Sequence, residues 1–500
     1  MRKAILLILG IILFDGIIAQ EHEQKYFPET DPLVLEKLEQ WQDFKFGLLM
    51  HWGAYSQWGI VESWSICPED YDWCQRKKEG TPDTYFEYVK AYENLKTTFN
   101  PTKFDPEKWA KAAKNAGMKY LVFTTKHHDG FCMFDSKYTD YKITDKETPF
   151  SSNPRSNVTK EIFEAFRNEG LWAGAYFSKP DWHNDDYWWP YFPPKDRNVN
   201  YNPEVYPEKW QKFVNFTHNQ IIEILTDYGK VDILWLDGGW VAKEPKEEIE
   251  RFYKEKLANI GNGFMNGTIV NQDIKMDELV VKARQKQPGL IVVDRAVEGK
   301  NQNYLTPENR VPEKELPYPW ESCIIAGGGW SYTPNATYMS GHDAIQMLVD
   351  IVCKGGNLLF NIAPSPEGTW DEDAYKLLAE MGDWIKINGE AIYGTRAIAP
   401  FKESNICFTN KKNSNTVYAI YLAEKSENKI PQFININSFV PDENSTVTLL
   451  GSRQKLKWKK NGNGIKIEIP RKLQNQPPSN YAWSFKIENV GKTEKSNITL

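Results

Sequence analysis

Cysteine, nucleotide-binding glycine loops and membrane-length apolar runs are scarce or absent in this 500-residue sequence. Six Cys are too few for a disulfide scaffold, although Cys67 and Cys74 are close enough in sequence to pair across a loop. They also lack the spacing of a zinc site. No Gly-rich phosphate loop follows the first apolar segment, which disfavours a nucleotide-binding fold. The net charge of −6 is spread along the chain, and no basic patch indicates nucleic-acid binding.

The N-terminus carries one short apolar run. Arg2 and Lys3 precede apolar residues 4–14, and small residues follow near Ala19. A membrane-spanning helix needs roughly 20 apolar residues, so this run is too short to be one. We therefore expect residues 1–19 to be a signal peptide and the mature chain to be exported to the periplasm or the extracellular space, without a membrane span.

Aromatic residues are abundant, at 14% of the chain with 19 Trp. Sugar rings present C–H faces that pack on aromatic faces, so this abundance is compatible with carbohydrate binding. A large aromatic core explains it equally well.

Short apolar runs alternate with amphipathic helical stretches from about residue 32 to about residue 396. The runs are mostly apolar throughout, which is typical of strands covered on both faces. They are residues 46–51, 120–127, 171–177, 231–237, 290–294 and 357–361. This alternation predicts an α/β fold, a (β/α)8-like barrel over residues 20–398, with an active site at the carboxyl ends of the strands.

The composition changes after about residue 399. Residues 416–422, 429–436, 445–450 and 464–469 are short, partly alternating and rich in β-branched side chains. The sequence therefore predicts a C-terminal all-β sandwich over residues 399–500.

Polar residues gather at the ends of the predicted barrel strands. One polar strand end means little, because a buried His or Asp is usually only hydrogen-bonded. Several such ends in one barrel indicate an active site. They include His51, His127, His128, Tyr176, Asp237 and Arg295.

Asp237 stands out among these residues. It ends an apolar strand, lies between Trp235 and Trp240, and precedes two Gly. A nucleophilic carboxylate must stay ionised, which a neighbouring Arg or His would favour. Arg295 and the two His are candidate neighbours. The alternatives for Asp237 are a helix N-cap or a structural salt bridge with Arg295.

The His127-His128-Asp129 segment has a metal-binding alternative, which His51 and Asp237 could join. Adjacent His on a strand point to opposite faces, so both rarely bind one ion. We expect no metal and no other cofactor, and expect the imidazoles to bind sugar hydroxyls instead.

The order of these motifs resembles glycoside hydrolase family 29, the α-L-fucosidases. The resemblance extends from about Trp41 to Ile398. It is carried by His51-Trp-Gly53, Glu62-Ser-Trp64, His127-His-Asp-Gly-Phe131, Trp235-Leu-Asp-Gly-Gly239, Lys354-Gly-Gly-Asn-Leu-Leu359 and Asn361-Ile-Ala-Pro364.

The resemblance implies a retaining exo-glycosidase that releases terminal α-L-fucose from oligosaccharides or glycoconjugates by double displacement. Asp237 would be the nucleophile and a fucosylated glycan the partner. Trp330 would pack against the C6 methyl of fucose. The residues that would bind the substrate are His51, Glu62, Trp64, His127, His128, Tyr176, Trp235, Arg295, Glu321 and Trp330.

The resemblance also implies an acid/base in the loop after Asp294-Arg295. Glu308 is our assignment and Glu321 the next candidate, with Glu298, Glu313 and Glu315 also in the segment. Retention requires the two carboxyl groups to be about 5–5.5 Å apart. Two alternatives stay open, an α-L-galactosidase and a sugar-binding protein of the same fold without turnover. The sequence does not predict the oligomeric state.

Overall fold

The computed structural model describes residues 24–258 and 268–490. The predicted signal peptide lies outside the described residues. Among the helices that are described, none combines the length and the apolar character that crossing a membrane requires.

A parallel sheet of seven strands forms the centre of the N-terminal part. Its strands lie in the order β5-β4-β3-β2-β1-β7-β6, and all neighbours are parallel. Nearly every residue in them is buried, as expected for strands covered on both faces. The bounds are β1 (Phe46–Met50), β2 (Tyr120–Lys126), β3 (Trp172–Ser178), β4 (Ile233–Asp237), β5 (Ile291–Asp294), β6 (Glu321–Ile325) and β7 (Asn357–Asn361).

Helices connect most of these strands and confirm the predicted barrel-like α/β architecture. Asp105 caps α3 as a side-chain acceptor for the Lys108 amide. The helices are α1 (Pro32–Phe44), α2 (Tyr85–Glu93), α3 (Pro106–Asn115), α4 (Val158–Asn168), α5 (Pro207–Asp227), α6 (Lys246–Ala258), α7 (Met276–Lys286), α8 (Gly341–Cys353) and α9 (Glu372–Asn388).

An irregular segment, residues 302–309, lies between β5 and β6. Gln302 pairs with Val293 of β5 through a single bridge, and Glu308 pairs with Cys323 of β6 in the same way. The Asn309 amide donates to the Cys323 carbonyl at 2.9 Å, and the Cys323 amide donates to Pro307 at 3.1 Å. The segment therefore occupies the position of an eighth strand and fixes the height of Glu308 in the barrel.

The barrel interior is built from alternating strand residues. Ile233 and Trp235 of β4 pack in one cluster with Ile291 and Val293 of β5. Because side chains of a strand alternate between its faces, Asp237 continues the inward-facing row of β4 at its carboxyl end. His51 similarly follows the inward-facing Leu49.

Antiparallel sheets make up the C-terminal part, as predicted. One sheet has the order β12-β15-β10-β9-β8 and the other β11-β14-β13, and a separate apolar core includes Phe408, Ile436 and Trp483. The elements are β8 (Thr395–Glu403), β9 (Ile406–Lys411), β10 (Val417–Leu422), β11 (Phe433–Ile436), β12 (Val447–Leu449), β13 (Lys457–Asn461), β14 (Gly464–Glu468), α10 (Arg471–Asn475) and β15 (Ala482–Ile487). The sequence predicts a domain boundary between residues 398 and 399, and strand β8 runs across this position. The exact boundary stays a prediction.

Candidate active site

A cavity of about 640 Å³ opens at the carboxyl ends of the barrel strands. Eleven of the twelve residues singled out from the sequence line it. They are His51, Glu62, Trp64, His127, His128, Tyr176, Trp235, Asp237, Arg295, Glu308 and Trp330.

Asp237 lies at the floor of this cavity with partners on both carboxylate oxygens. The Tyr176 hydroxyl donates to Oδ2 at 2.7 Å, and Arg295 Nη1 donates to Oδ1 at 3.0 Å. Burial opposes ionisation, but the Arg295 charge and the Tyr176 hydrogen bond outweigh it and hold the pKa of Asp237 well below its usual range. Asp237 is therefore ionised at neutral pH. The salt bridge with Arg295, which was an alternative role for Asp237, is present in the structure. It does not remove Asp237 from the cavity, which this residue still lines.

Arg295 connects the two candidate catalytic carboxyl groups. Its Nη2 contacts Glu308 Oε2 while its Nη1 contacts Asp237. Glu308 is 43% exposed, whereas Asp237 is 15% exposed. One cation thus contacts a floor carboxylate and a rim carboxyl group.

The three cavity histidines are neutral at physiological pH. Burial lowers the pKa of His51 to about 4 and that of His128 to about 3, and it holds the pKa of His127 well below its usual value. His127 and His128 both line the cavity because β2 ends at Lys126, so the strand alternation no longer separates them. Their ring centroids are 4.2 Å apart.

The tautomer of His51 follows from its neighbour. Asn361 Nδ2 donates to the Trp330 carbonyl at 2.8 Å, so its Oδ1 faces His51 Nδ1 as an acceptor at 2.9 Å. His51 must therefore donate from Nδ1, which leaves Nε2 as a hydrogen-bond acceptor.

Glu62 is a buried acid in the cavity wall. Its side chain is 1% exposed, and Oε1 has no hydrogen-bond partner among the described residues. Burial, with the nearby charges of Glu308 and Asp237, raises the pKa of Glu62 to about 8. Glu62 is therefore mostly protonated at neutral pH and can donate a hydrogen bond.

Aromatic rings complete the inner cavity. Tyr176 and Trp235 stack with centroids 5.3 Å apart, and the Arg295 guanidinium lies 5.2 Å from the Trp235 centroid. Trp330 packs against His51 at 5.4 Å. These rings give the cavity a partly apolar wall suited to the C–H faces of a sugar.

Glu321 differs from the sequence expectation. It is fully buried, does not line the cavity, and accepts a hydrogen bond from the Tyr120 hydroxyl. The reason is that Glu321 is the first residue of β6 rather than the last, so it lies at the amino end of its strand. The open cavity lies at the other end of the strands.

Eight further residues line the cavity that were not predicted as site residues, and three of them have large polar or aromatic side chains. These three are Trp73, Arg197 and Trp240. Trp240 directly follows the Asp237-Gly-Gly motif, so the sequence could have predicted that it lies near the site. Trp73 and Arg197 carried no signal of this kind.

The metal alternative is disfavoured by the partners already present. His127, His128 and Asp237 place ligand atoms within 4.8 Å of one another. However, His127 Nδ1 is already hydrogen-bonded to Ser63 Oγ. The Asp237 carboxylate already accepts hydrogen bonds from Arg295 and Tyr176. A cation at this carboxylate would be repelled by the charge of the neighbouring guanidinium.

A barrel that presents two carboxyl groups beside aromatic rings and neutral imidazoles is typical of a glycoside hydrolase. Sequence comparison identifies the family. The family model described as alpha-L-fucosidase matches residues 16–390, and the model of the alpha-L-fucosidase C-terminal domain matches residues 400–488. The chain belongs to the α-L-fucosidase family, which confirms the resemblance carried by its motifs.

Individual relatives agree with this assignment. The human plasma alpha-L-fucosidase is 28% identical, with 93% of each chain covered. The alpha-L-fucosidase of Branchiostoma floridae is also 28% identical, covering 96% of this chain and all of the relative. Among solved structures, alpha-L-fucosidase isoenzyme 1 from Paenibacillus thiaminolyticus has a TM-score of 0.70 at 27% identity, over 92% of this chain and 100% of that one. The fucose complex of Thermotoga maritima alpha-fucosidase has a TM-score of 0.66 at 26% identity, with the same coverage.

Proposed function

We propose that this α-L-fucosidase removes terminal α-L-fucose from glycans in two displacements, with Asp237 as the nucleophile and Glu308 as the acid/base. The observation that carries the proposal is the floor carboxylate, which Arg295 and Tyr176 hold ionised beneath an open cavity. A carboxylate in that state is poised to attack carbon.

In the first step, an Asp237 oxygen attacks the anomeric carbon and forms a β-linked glycosyl ester. The bond to the leaving oxygen breaks, and Glu308 gives that oxygen its proton. In the second step, Glu308 takes a proton from water, the water oxygen attacks the same carbon, and Asp237 leaves as a carboxylate. Two inversions restore the original α configuration.

The Arg295 bridge suits this sequence of charges. In the free enzyme Asp237 is anionic, and formation of the ester removes that charge. Glu308 has by then lost its proton, so the negative charge has moved to the second carboxyl group that Arg295 contacts. The same cation therefore stabilises both states without a large movement.

The remaining cavity residues bind fucose in this proposal. Nε2 of His51 accepts from a sugar hydroxyl, and protonated Glu62 donates to another. Trp330 packs against the C6 methyl, which favours fucose over α-L-galactose because the latter carries a hydroxyl on C6. Comparing nitrophenyl α-L-fucoside with the corresponding galactoside tests this preference.

Removal of the nucleophile tests the mechanism. Asp237→Ala should abolish turnover of nitrophenyl fucoside, and azide should restore part of it while forming β-fucosyl azide. An α-fucosyl azide, or no rescue by any small anion, would contradict the assignment. The wild type also tests the alternative of sugar binding without turnover, which predicts no nitrophenol release at all.

A pair of loop variants tests the acid. Glu308→Ala should slow hydrolysis of a natural oligosaccharide far more than hydrolysis of a fucoside with a good leaving group, which needs little proton donation. Glu313→Ala is the matched control, since it removes a carboxylate from the same part of the chain. Unchanged oligosaccharide hydrolysis by Glu308→Ala would refute the role.

We also propose that the enzyme is exported, because residues 1–19 have the pattern of a signal peptide. Cell fractionation and N-terminal sequencing test this. The expected mature chain begins near Gln20 and leaves the cytoplasm, whereas a retained Met1 would refute the proposal.

A further inference from the structure

Two exposed aromatic rings lie stacked at the rim of the active-site cavity. Tyr71 and Trp73 are nearly parallel, with centroids 4.5 Å apart and an interplanar angle of 4°. Trp73 lines the cavity although its side chain is 48% exposed, and Tyr71 is 36% exposed. Large apolar rings left exposed beside a cavity mark a surface that contacts a ligand.

The rings lie beside a partly buried ion pair between Arg197 and Glu69. The Arg197 guanidinium lies 5.8 Å from the Tyr71 centroid, and it also contacts the rings of Trp64 at 4.8 Å and Trp240 at 5.1 Å. Glu69, which is on the same loop as Tyr71, accepts from Arg197 Nε at 2.8 Å. A surface fixed in this way loses little conformational entropy when a ligand binds.

The chain of contacts continues inward to the nucleophile. Trp64 and Trp240 both pack against His128, with centroids 5.2 Å and 5.1 Å away. His128 Nε2 in turn lies 3.9 Å from Asp237 Oδ2. One continuous wall therefore joins the floor of the cavity to its aromatic rim.

The cavity has room for more than one sugar. Its volume of about 640 Å³ is in the range that holds drug-sized ligands, and a single fucose is smaller than these. With fucose seated over Asp237, the outer part of the cavity borders Trp73. In a fucosylated glycan, the group next to fucose is the leaving-group sugar, which would occupy the outer part of the cavity.

We propose that Trp73, backed by Tyr71, is the binding subsite for the leaving-group sugar, and that it takes the apolar C–H face of a pyranose ring. This inference rests on the proposed function and names the part of the substrate that lies beyond fucose. Trp73 binds and orients the leaving group and takes no part in the bond changes.

Two substrates that share fucose but differ in leaving group test the subsite. For 2′-fucosyllactose, Trp73→Ala should lower kcat/KM roughly tenfold, the scale of a lost aromatic contact. For α-L-fucosyl fluoride, whose leaving group is a single atom, kcat/KM should not change. Trp73→Phe should recover most of the loss. Tyr191→Ala removes an aromatic side chain that is 81% exposed and does not line the cavity, and should affect neither substrate.

Transfer to an added acceptor gives a second readout. With fucosyl fluoride as donor and lactose as acceptor, Trp73→Ala should lower the ratio of transfer to hydrolysis while total fluoride release stays constant. Equal losses on both substrates, or an unchanged transfer ratio, would overturn the subsite. If the wild type releases no fluoride at all, the proposed function fails, and this result is distinct from the loss of the subsite.

Discussion

The protonation state of Glu62 gives a prediction that depends directly on the environment of one side chain. Burial raises its pKa to about 8 from the usual 4.5, with further increases from the charges of Glu308 and Asp237. By mass action the wild type holds this proton in roughly 90% of molecules at pH 7 and roughly 10% at pH 9. If protonated Glu62 donates to the substrate, kcat/KM must fall roughly tenfold over that range.

The substitution Glu62→Gln tests this reasoning because glutamine has nearly the same shape, keeps a donor and does not ionise. The assay is kcat/KM for α-L-fucosyl fluoride from pH 6 to pH 9.5, since fluoride needs no proton from Glu308 to leave. We expect a descending limb near pH 8 in the wild type and a flat profile in Glu62→Gln, with similar values at pH 6. Glu62→Ala should be flat as well but low at every pH, because the donor is lost.

Either of two outcomes would refute this account of Glu62. A wild-type profile that stays flat beyond pH 9 would mean that Glu62 is already ionised near neutral pH. A descending limb that persists in Glu62→Gln would assign the titration to another group.

Two further predictions concern Arg295 and Lys45. Arg295→Gln removes the main charge that lowers the pKa of Asp237, so the acid limb of the kcat/KM profile should move to higher pH and activity should fall about 100-fold; an unmoved acid limb would contradict this. Lys45 is fully buried with Nζ unpaired among the described residues, and burial lowers its pKa to about 7 from 10.5. The unfolded chain binds this proton more readily between pH 7 and 10.5, so the lysine destabilises the fold most below pH 7. Lys45→Met should therefore add about 4 kcal/mol of unfolding free energy at pH 7 and progressively less toward pH 10.5, as measured by denaturant titration; a constant gain at all pH values would refute the cause.

The floor of the site was predictable from the polar ends of the apolar runs. The inward row Ile233, Trp235 and Asp237 places a charge where an apolar residue is expected, at the end of a strand covered on both faces. The same alternation extends from Leu49 to His51. A polar residue at the end of an apolar run is visible in the local sequence, so Asp237 and His51 could be found without knowledge of the whole fold.

The acid/base was harder to place for a physical reason. Glu308 belongs to a segment that pairs with β6 through isolated bridges, and such a segment has no period of its own. Only the family resemblance indicated it. Glu321 was misplaced for a different reason. The sequence does not show whether the strand lies before or after this residue, and in the structure β6 begins at Glu321.

The outer cavity could not be predicted from local patterns. Trp73 and Arg197 are far apart in the sequence but line one cavity, and Glu69, four residues before Trp73, pairs with Arg197. Loop contacts of this kind depend on the whole barrel being assembled first. The proposed leaving-group subsite therefore lies in the part of the chain that sequence patterns describe least.

The central claim is that Asp237 forms a covalent bond to the sugar. The most direct measurement is to incubate the wild type with 2-deoxy-2-fluoro-α-L-fucosyl fluoride, which slows both displacements while retaining a good leaving group, and to map the labelled peptide by mass spectrometry. We predict one added fluorofucosyl group, on the side chain of Asp237. A label on Glu308, or complete hydrolysis to the β anomer without any labelled protein, would contradict the account.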